Sequence, residues 1–238
     1  MHTAADSTEL DWLLPSAPSR LRPFVAGPLL PPAVLERWCQ EGMLHAVVDG
    51  LYLVATWSGA PAARCAALEV LLRTDAVVGM ASAVWARGGP GRRPPTPDER
   101  RGGPDRDGHE IDLLVPPRNG RSWQRDGVRT RRLAVRDDEV EQLLGVPVTT
   151  PVRTAADLVV WGSDRDQEAL DWLWRRGTEP AAVRAELVGR TSTRWNARGL
   201  QVLRAVEAGT PAPLRTLPLV DPVTTWSRAR DLNPRACP

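Results

Sequence analysis

The first clear hydrophobic pattern in the chain predicts a short helix followed directly by a β-hairpin. Apolar residues recur about one helical turn apart within 33–41, and Gly42 follows as a stop signal. The segment 43–54 then carries two short apolar runs on either side of Asp49-Gly50, a dipeptide typical of tight hairpin turns. In a winged helix-turn-helix domain a helix enters the DNA groove. A helix with an adjoining hairpin wing is therefore one interpretation of this segment, and an ordinary helix–hairpin within a larger fold is the other.

The middle of the chain alternates short buried strands with helices, which predicts a mixed α+β domain. The segment 139–149 contains two apolar runs around Leu144-Gly145, which indicates strand–turn–strand, although 137–144 also fits a helix. The other predicted elements of this part are a helix at 61–74, a strand at 76–79, a helix at 82–86 and strands at 109–115 and 128–135.

The last ordered part of the chain is predicted to be a set of four helices. Thr150 is suited to cap the first of them and Pro151 to occupy its first turn. Thr178 is the predicted cap of the third. The expected spans of the later helices are 164–176, with Trp174 in the core and Trp172 at its edge, 179–188 and 197–208.

Proline-rich stretches set the predicted boundaries. The segment 87–108 has five prolines, several glycines and no aliphatic residue, so we expect a disordered insert. The predicted organisation is an irregular lead-in at 1–32, a helix–hairpin module at 33–58, a mixed domain at 59–208 that includes this insert, and a frayed tail at 209–238.

Composition excludes several classes of chemistry. All 31 basic residues are arginine, so no lysine is present for a P-loop or a Schiff base. The three cysteines and three histidines are far apart, which gives neither a disulfide framework nor zinc spacing. We therefore expect no metal and no cofactor. No apolar run is long enough for a membrane helix and the N-terminus lacks secretory features, so we expect a cytoplasmic protein without a membrane partner.

Charge is distributed unevenly between the predicted parts. Residues 1–58 carry a net charge of −3 and the rest +5. DNA binding depends strongly on cations that neutralise phosphates. The candidate DNA contacts are Arg37 and His45 in the helix–hairpin module, and Arg129 and Arg131, which share one face of the strand at 128–135.

The start of the helix at 150 carries a second polar motif. Arg153 and Asp157 are four residues apart, so they are expected to pair on the helix surface, with Thr154 beside them. One interpretation is an anion or partner site at the helix N-terminus. The other is a structural cap with an ion pair that anchors the helix to the preceding strand.

A catalytic centre is not expected. Glu110 and Asp112 would share one strand face and His109 the other, but no lysine or third acid accompanies them. No catalytic residues are assigned, and a hydrolase or nuclease is the least favoured class.

Several of these motifs together resemble the AbiEi-type antitoxins of type IV toxin–antitoxin (abortive infection) systems. The resemblance covers about residues 33–208, and its most specific part is Thr149-Thr150-Pro151-Val152-Arg153-Thr154-Ala155-Ala156-Asp157-Leu158. The helix end Asp171-Trp172-Leu173-Trp174-Arg175-Arg176-Gly177, the Val48-Asp49-Gly50-Leu51-Tyr52 hairpin and the Val77–Trp85 segment are also similar. The signature residues that the resemblance singles out are Thr149, Thr150, Pro151, Arg153, Thr154 and Asp157.

The resemblance implies a winged-helix N-terminus that represses its own operon, followed by a C-terminal domain that counteracts a nucleotidyltransferase-like toxin. Two departures affect the DNA-binding part: residues 1–32 show no recognisable first helices, and Asp49 replaces the usual basic wing residue. The expected fold is α+β, with a degenerate winged-helix module, a mixed domain and a C-terminal helical set. The expected function is an antitoxin-like transcriptional regulator that binds operator DNA. The alternative is a non-enzymatic interaction protein that has lost DNA binding.

Overall fold

The computed structural model describes residues 22–48, 50–72, 75–90, 110–117, 127–190, 193–209 and Leu214. The fold is α+β, as the sequence predicts. Two sheets and seven helices are described. Predicted segments 1–21, 91–109 and most of the tail lie outside the described residues.

The N-terminal module is a three-stranded antiparallel sheet with one helix. Strand β1 (Phe24–Val25) is followed by helix α1 (Pro32–Gln40), and then by the hairpin of β2 (Leu44–Val48) and β3 (Leu51–Val54). The sheet order is β1-β3-β2. The predicted helix and hairpin are confirmed, whereas the irregular lead-in was wrong at β1. A two-residue strand is too short to show a periodic pattern. It forms because its residues pair with β3.

The central sheet has five strands in the order β6-β5-β4-β8-β7. The strands are β4 (Val77–Val78), β5 (Ile111–Val115), β6 (Val128–Arg132), β7 (Val140–Leu143) and β8 (Val146–Thr149). β4 is parallel to β8 and β5 to β6, while the other neighbours are antiparallel.

The predicted strand–turn–strand at 139–149 is confirmed as β7 and β8. Leu144 (φ 52°) and Gly145 (φ 86°) both adopt left-handed backbone conformations, which two-residue hairpin turns require. The helical alternative for 137–144 was wrong apart from a 3-10 turn at Asp137–Glu139.

Six further helices surround the central sheet. They are α2 (Pro61–Leu71), α3 (Met80–Ala86), α4 (Pro151–Trp161), α5 (Gln167–Arg175), α6 (Pro180–Gly189) and α7 (Thr193–Glu207). All correspond to predicted helices, with ends shifted by a few residues. Thr178 as the cap of α6 was wrong, because Glu179 occupies the N-cap position and makes no side-chain cap hydrogen bond.

The apolar core forms two main clusters. One joins α2 to the sheet and to the hairpin, and includes Val48, Leu51, Leu68 and Leu113. The other joins α3 to the four C-terminal helices. A smaller cluster centred on Leu35 and Tyr52 lies under α1. Because Val48 and Leu51 belong to the first cluster, the hairpin is part of the wall of the central core.

Two predicted disordered segments are ordered at their edges. The expected insert at 87–108 was wrong for residues 87–90, where Arg87 donates hydrogen bonds to Ala83 O and Glu141 Oε1. The expected frayed tail was wrong for Leu214, which is fully buried in the helical cluster. In the described part of the chain no helix is long and apolar enough to cross a membrane.

Candidate functional site

The signature threonines shape the junction between β8 and α4. Thr150 caps α4 by accepting a hydrogen bond from Arg153 N at 3.4 Å, as predicted, and Pro151 lies in the first turn. The hydroxyls of Thr149 and Thr154 are 2.7 Å apart, and Thr154 also donates to Thr150 O. The three threonines and Pro151 therefore fix the strand-to-helix turn.

Arg153 and Asp157 form a buried ion pair, and the expectation of a surface pair was wrong. Arg153 Nε lies 2.9 Å from Asp157 Oδ2, and the side chains are 5% and 0% exposed. Arg153 Nη1 also lies 2.5 Å from Oε2 of Glu139, which is equally buried. Sequence spacing places the pair on one helix face, but burial of that face follows from the turn at 137–139 and from α6.

Three more residues close this arrangement into a ring of alternating charge. Asp157 Oδ1 accepts from Arg190 Nη1 at 2.9 Å, and Arg190 Nε lies 3.1 Å from Glu186 Oε1. Arg136 Nη2 then bridges Glu186 at 3.0 Å and Glu139 at 3.3 Å. We call these six residues the charge ring: Arg136, Glu139, Arg153, Asp157, Arg190 and Glu186.

The electrostatics of the charge ring favour a structural role over anion binding. Its three guanidinium groups face three carboxylates, so its formal charge is zero. Burial lowers the pKa of Arg153, but the charges and hydrogen bonds of Asp157 and Glu139 raise it by more. The pKa of Arg153 is therefore above its ordinary value. Arg153 is thus a permanent cation, and its Nε and Nη1 donors are committed to protein acceptors.

The charge ring also fastens a segment that crosses from β6 to β7. Arg153 Nη1 donates to Ala134 O at 3.1 Å, and Arg136 N donates to Glu139 Oε2 at 2.6 Å. At the other end of the segment, Leu133 N donates to Val115 O at 3.1 Å. We call residues 133–139 the crossing segment.

The candidate DNA contacts on β6 are held in a second ion cluster. Arg129 Nε lies 2.7 Å and Arg131 Nε 3.0 Å from Oδ1 of Asp112, which is completely buried. Glu110 lies 3.5 Å from Arg129. The shared strand face is as predicted, but it is also the face of Asp112. The two arginines therefore contribute much less free positive field than the sequence suggested.

The other two candidate DNA contacts are exposed on the N-terminal module. Arg37 is 76% exposed and pairs with Glu41 one turn later, with Nε 2.7 Å from Oε1. His45 is the exposed position of β2. Both residues are far in sequence from the signature residues. No described hydrogen bond or ion pair connects them to the charge ring.

The acidic pair considered for catalysis is only partly described. The carboxylate of Asp112 forms ion pairs with two arginines, and the backbone N–H of Asp112 donates to Ser82 Oγ at 2.8 Å. His109 lies outside the described residues. Among the residues that the structure describes, no group of three or more His, Cys, Asp or Glu is placed to hold a metal ion.

Sequence reasoning missed several residues that complete these clusters. Glu139, Glu186 and Arg190 are distant in sequence from Arg153 and carry no local signal. Arg198 was also missed: its guanidinium is buried and donates to Val160 O at 2.9 Å and to Gly162 O at 2.8 Å, closing the C-terminus of α4.

No protein-family model matches the chain, and no curated protein matches it significantly.

Proposed function

We propose that this chain is an antitoxin-like transcriptional regulator whose N-terminal module contacts operator DNA. The observation that carries the proposal is the arrangement of that module: α1 lies between β1 and β2 in the chain, and β1 pairs with the far strand of the hairpin. As a result, α1 belongs to the same module as a three-stranded sheet, and two of the three strands form a hairpin. A winged helix requires the same order of helix and wing.

The surface of α1 implies that DNA binding is weak and depends on salt. Its exposed polar side chains are Glu36, Arg37 and Gln40, so one cation stands beside one carboxylate, and Arg37 is paired with Glu41. Each phosphate neutralised contributes about 0.9 to the slope of log affinity against log salt. With few free cations, we expect low affinity, which falls further as the salt concentration rises.

A second candidate is an interaction protein without DNA binding. Four of the seven large apolar side chains that are exposed in the described part lie between residues 25 and 43: Val25, Leu29, Val34 and Met43. Phe24 and Trp38 adjoin them, with ring centroids 6.4 Å apart. Exposed apolar residues concentrated on one module are typical of protein contacts, and this observation favours the second candidate.

Anisotropy titration separates the two candidates. The probe is a labelled duplex from the region upstream of the chain's own reading frame, with a scrambled duplex as control, at about 50 and 200 mM salt. The first candidate predicts binding at low salt and loss of preference for the native duplex in Arg37→Ala. Arg204→Ala, an exposed arginine of α7, is the matched control and leaves preference unchanged. Failure to bind either duplex at low salt would contradict the first candidate and favour the second.

Toxin antagonism is a separate part of the proposal and has its own test. If a nucleotidyltransferase-like reading frame adjoins this gene, its expression alone should arrest growth, and co-expression of the full chain should restore it. The C-terminal helices are proposed to supply this activity, so Arg37→Ala should still restore growth. A chain that never restores growth would contradict the antitoxin assignment without affecting the DNA result.

A further inference from the structure

The face of the central sheet opposite α2 is only partly covered, and it carries a groove of about 740 Å³. Val77 and Leu114 are directly paired neighbours on β4 and β5 and form its floor. Leu133 and Val135 of the crossing segment form one wall, and Pro116 and Pro117 close one end. The volume falls within the roughly 300–1,000 Å³ typical of ligand sites.

Three polar side chains lie on the lining of this apolar groove: Asp75, Asp137 and Gln142. None of them makes a side-chain hydrogen bond or ion pair with another described residue, whereas most polar groups of the neighbouring charge ring are fully used. Among the described residues that line the groove there is no arginine or histidine. The polar side chains of the described lining are thus two exposed carboxylates and one exposed amide, a set that favours a cationic ligand over an anionic one.

The groove wall is held in place before any ligand binds. Leu133 is hydrogen-bonded to Val115 O, and Ala134 O accepts from the buried Arg153. A site whose walls are already fixed loses less conformational entropy on binding than a flexible one. The signature residue Arg153 is thus a positioning residue for the groove, 3.1 Å from the backbone of its wall.

We propose that this groove binds a short peptide segment of a partner protein that presents apolar side chains together with an arginine or lysine. The apolar side chains would cover Val77, Leu114 and Val135, and the cation would pair with Asp137. The groove is open to solvent along part of its boundary, which suits side chains of a peptide better than a small ligand that must be mostly buried. This inference goes beyond the proposed function and holds whether or not the chain binds DNA.

The experiment selects random short peptides displayed on phage against the full chain, with counter-selection on Gln142→Arg. Gln142 is exposed, so this substitution places a cation in the groove without disturbing the core. The expected result is enrichment of apolar peptides that contain an arginine or lysine. A synthetic enriched peptide should bind Asp137→Asn about threefold more weakly, because the substitution removes the paired charge at an exposed position, where solvent screens an ion pair.

Asp138→Asn is the matched control, because Asp138 is the neighbouring carboxylate, is 75% exposed, pairs with Arg136 and does not line the groove. It should leave peptide affinity unchanged. Enriched peptides that lack a cation, or that bind Gln142→Arg and Asp137→Asn as well as the parent, would overturn the proposal. A dimer in solution that Gln142→Arg dissociates would assign the groove to a second copy of the chain and would also overturn it.

Discussion

Arg153 and Asp157 face each other across one turn of α4, with Nε 2.9 Å from Oδ2 and neither side chain more than 5% exposed. The pair is bound on one side by Glu139 and on the other by Arg190. A helix-surface pair of the same spacing would contribute little to stability. Burial makes removal of one partner costly, because the other charge then remains without compensation.

Asp157→Ala is therefore expected to lower the free energy of unfolding by about 3–5 kcal/mol. The reason is that Arg153 and Arg190 both lose a carboxylate that accepts from them inside the protein. Urea denaturation followed by tryptophan fluorescence measures the change. Glu41→Ala, which breaks the exposed i,i+4 pair with Arg37, is the control and should change stability far less. Equal effects of the two substitutions would contradict the buried pairing of Asp157 with Arg153 and Arg190.

Gly199→Ala is expected to destabilise the helical set by about 1–3 kcal/mol through overpacking. A Cβ at Gly199 of α7 would lie 2.7 Å from Leu187 Cδ1 and 3.0 Å from Val160 Cγ2, so α7 could not approach α6 and α4 as closely. Gly189→Ala, at the end of α6, meets nothing within 4 Å and should leave stability unchanged or slightly raised. Thermal unfolding of the two variants tests this difference.

Arg198→Met is expected to destabilise the chain strongly, while Arg204→Met on the same helix is not. Arg198 donates to Val160 O, Gly162 O and Leu214 O, and each buried carbonyl left without a donor costs about 1–3 kcal/mol. Arg204 is exposed, so its loss removes no buried hydrogen bond. Similar urea midpoints for both variants would show that Arg198 does not stabilise the end of α4.

Cys65 is expected to resist alkylation in the native protein. Burial raises the pKa of the Cys65 thiol to about 11, and its residue is 1% exposed. At pH 8 about 0.1% of the thiol is then ionised, and the thiolate is the reactive form. Iodoacetamide labelling followed by peptide mapping should modify the half-buried Cys39 before Cys65, which should be modified only after unfolding in urea. Labelling of Cys65 at the same rate in both states would contradict its burial.

The relation between sequence and structure is clearest at the hairpin and at β1. Asp49-Gly50 between two apolar runs predicts β2 and β3 because turn chemistry and alternation are local properties. β1 has two residues between prolines and no pattern, and it exists because Phe24 and Val25 pair with Tyr52 and Leu51. Local rules therefore predicted the helix and hairpin but not the strand that completes their sheet.

The candidate site shows the same division. The sequence by itself determined the α+β class, the cap at Thr150, the i,i+4 spacing of Arg153 and Asp157, and the shared face of Arg129 and Arg131. These follow from the helical and strand repeats, which act over a few residues. Only the tertiary structure decided that Arg153 is buried beside Glu139, and that Asp112 neutralises Arg129 and Arg131. Both depend on elements brought together from distant parts of the chain, and the energy of a charge depends on its partners and burial, which no local pattern records.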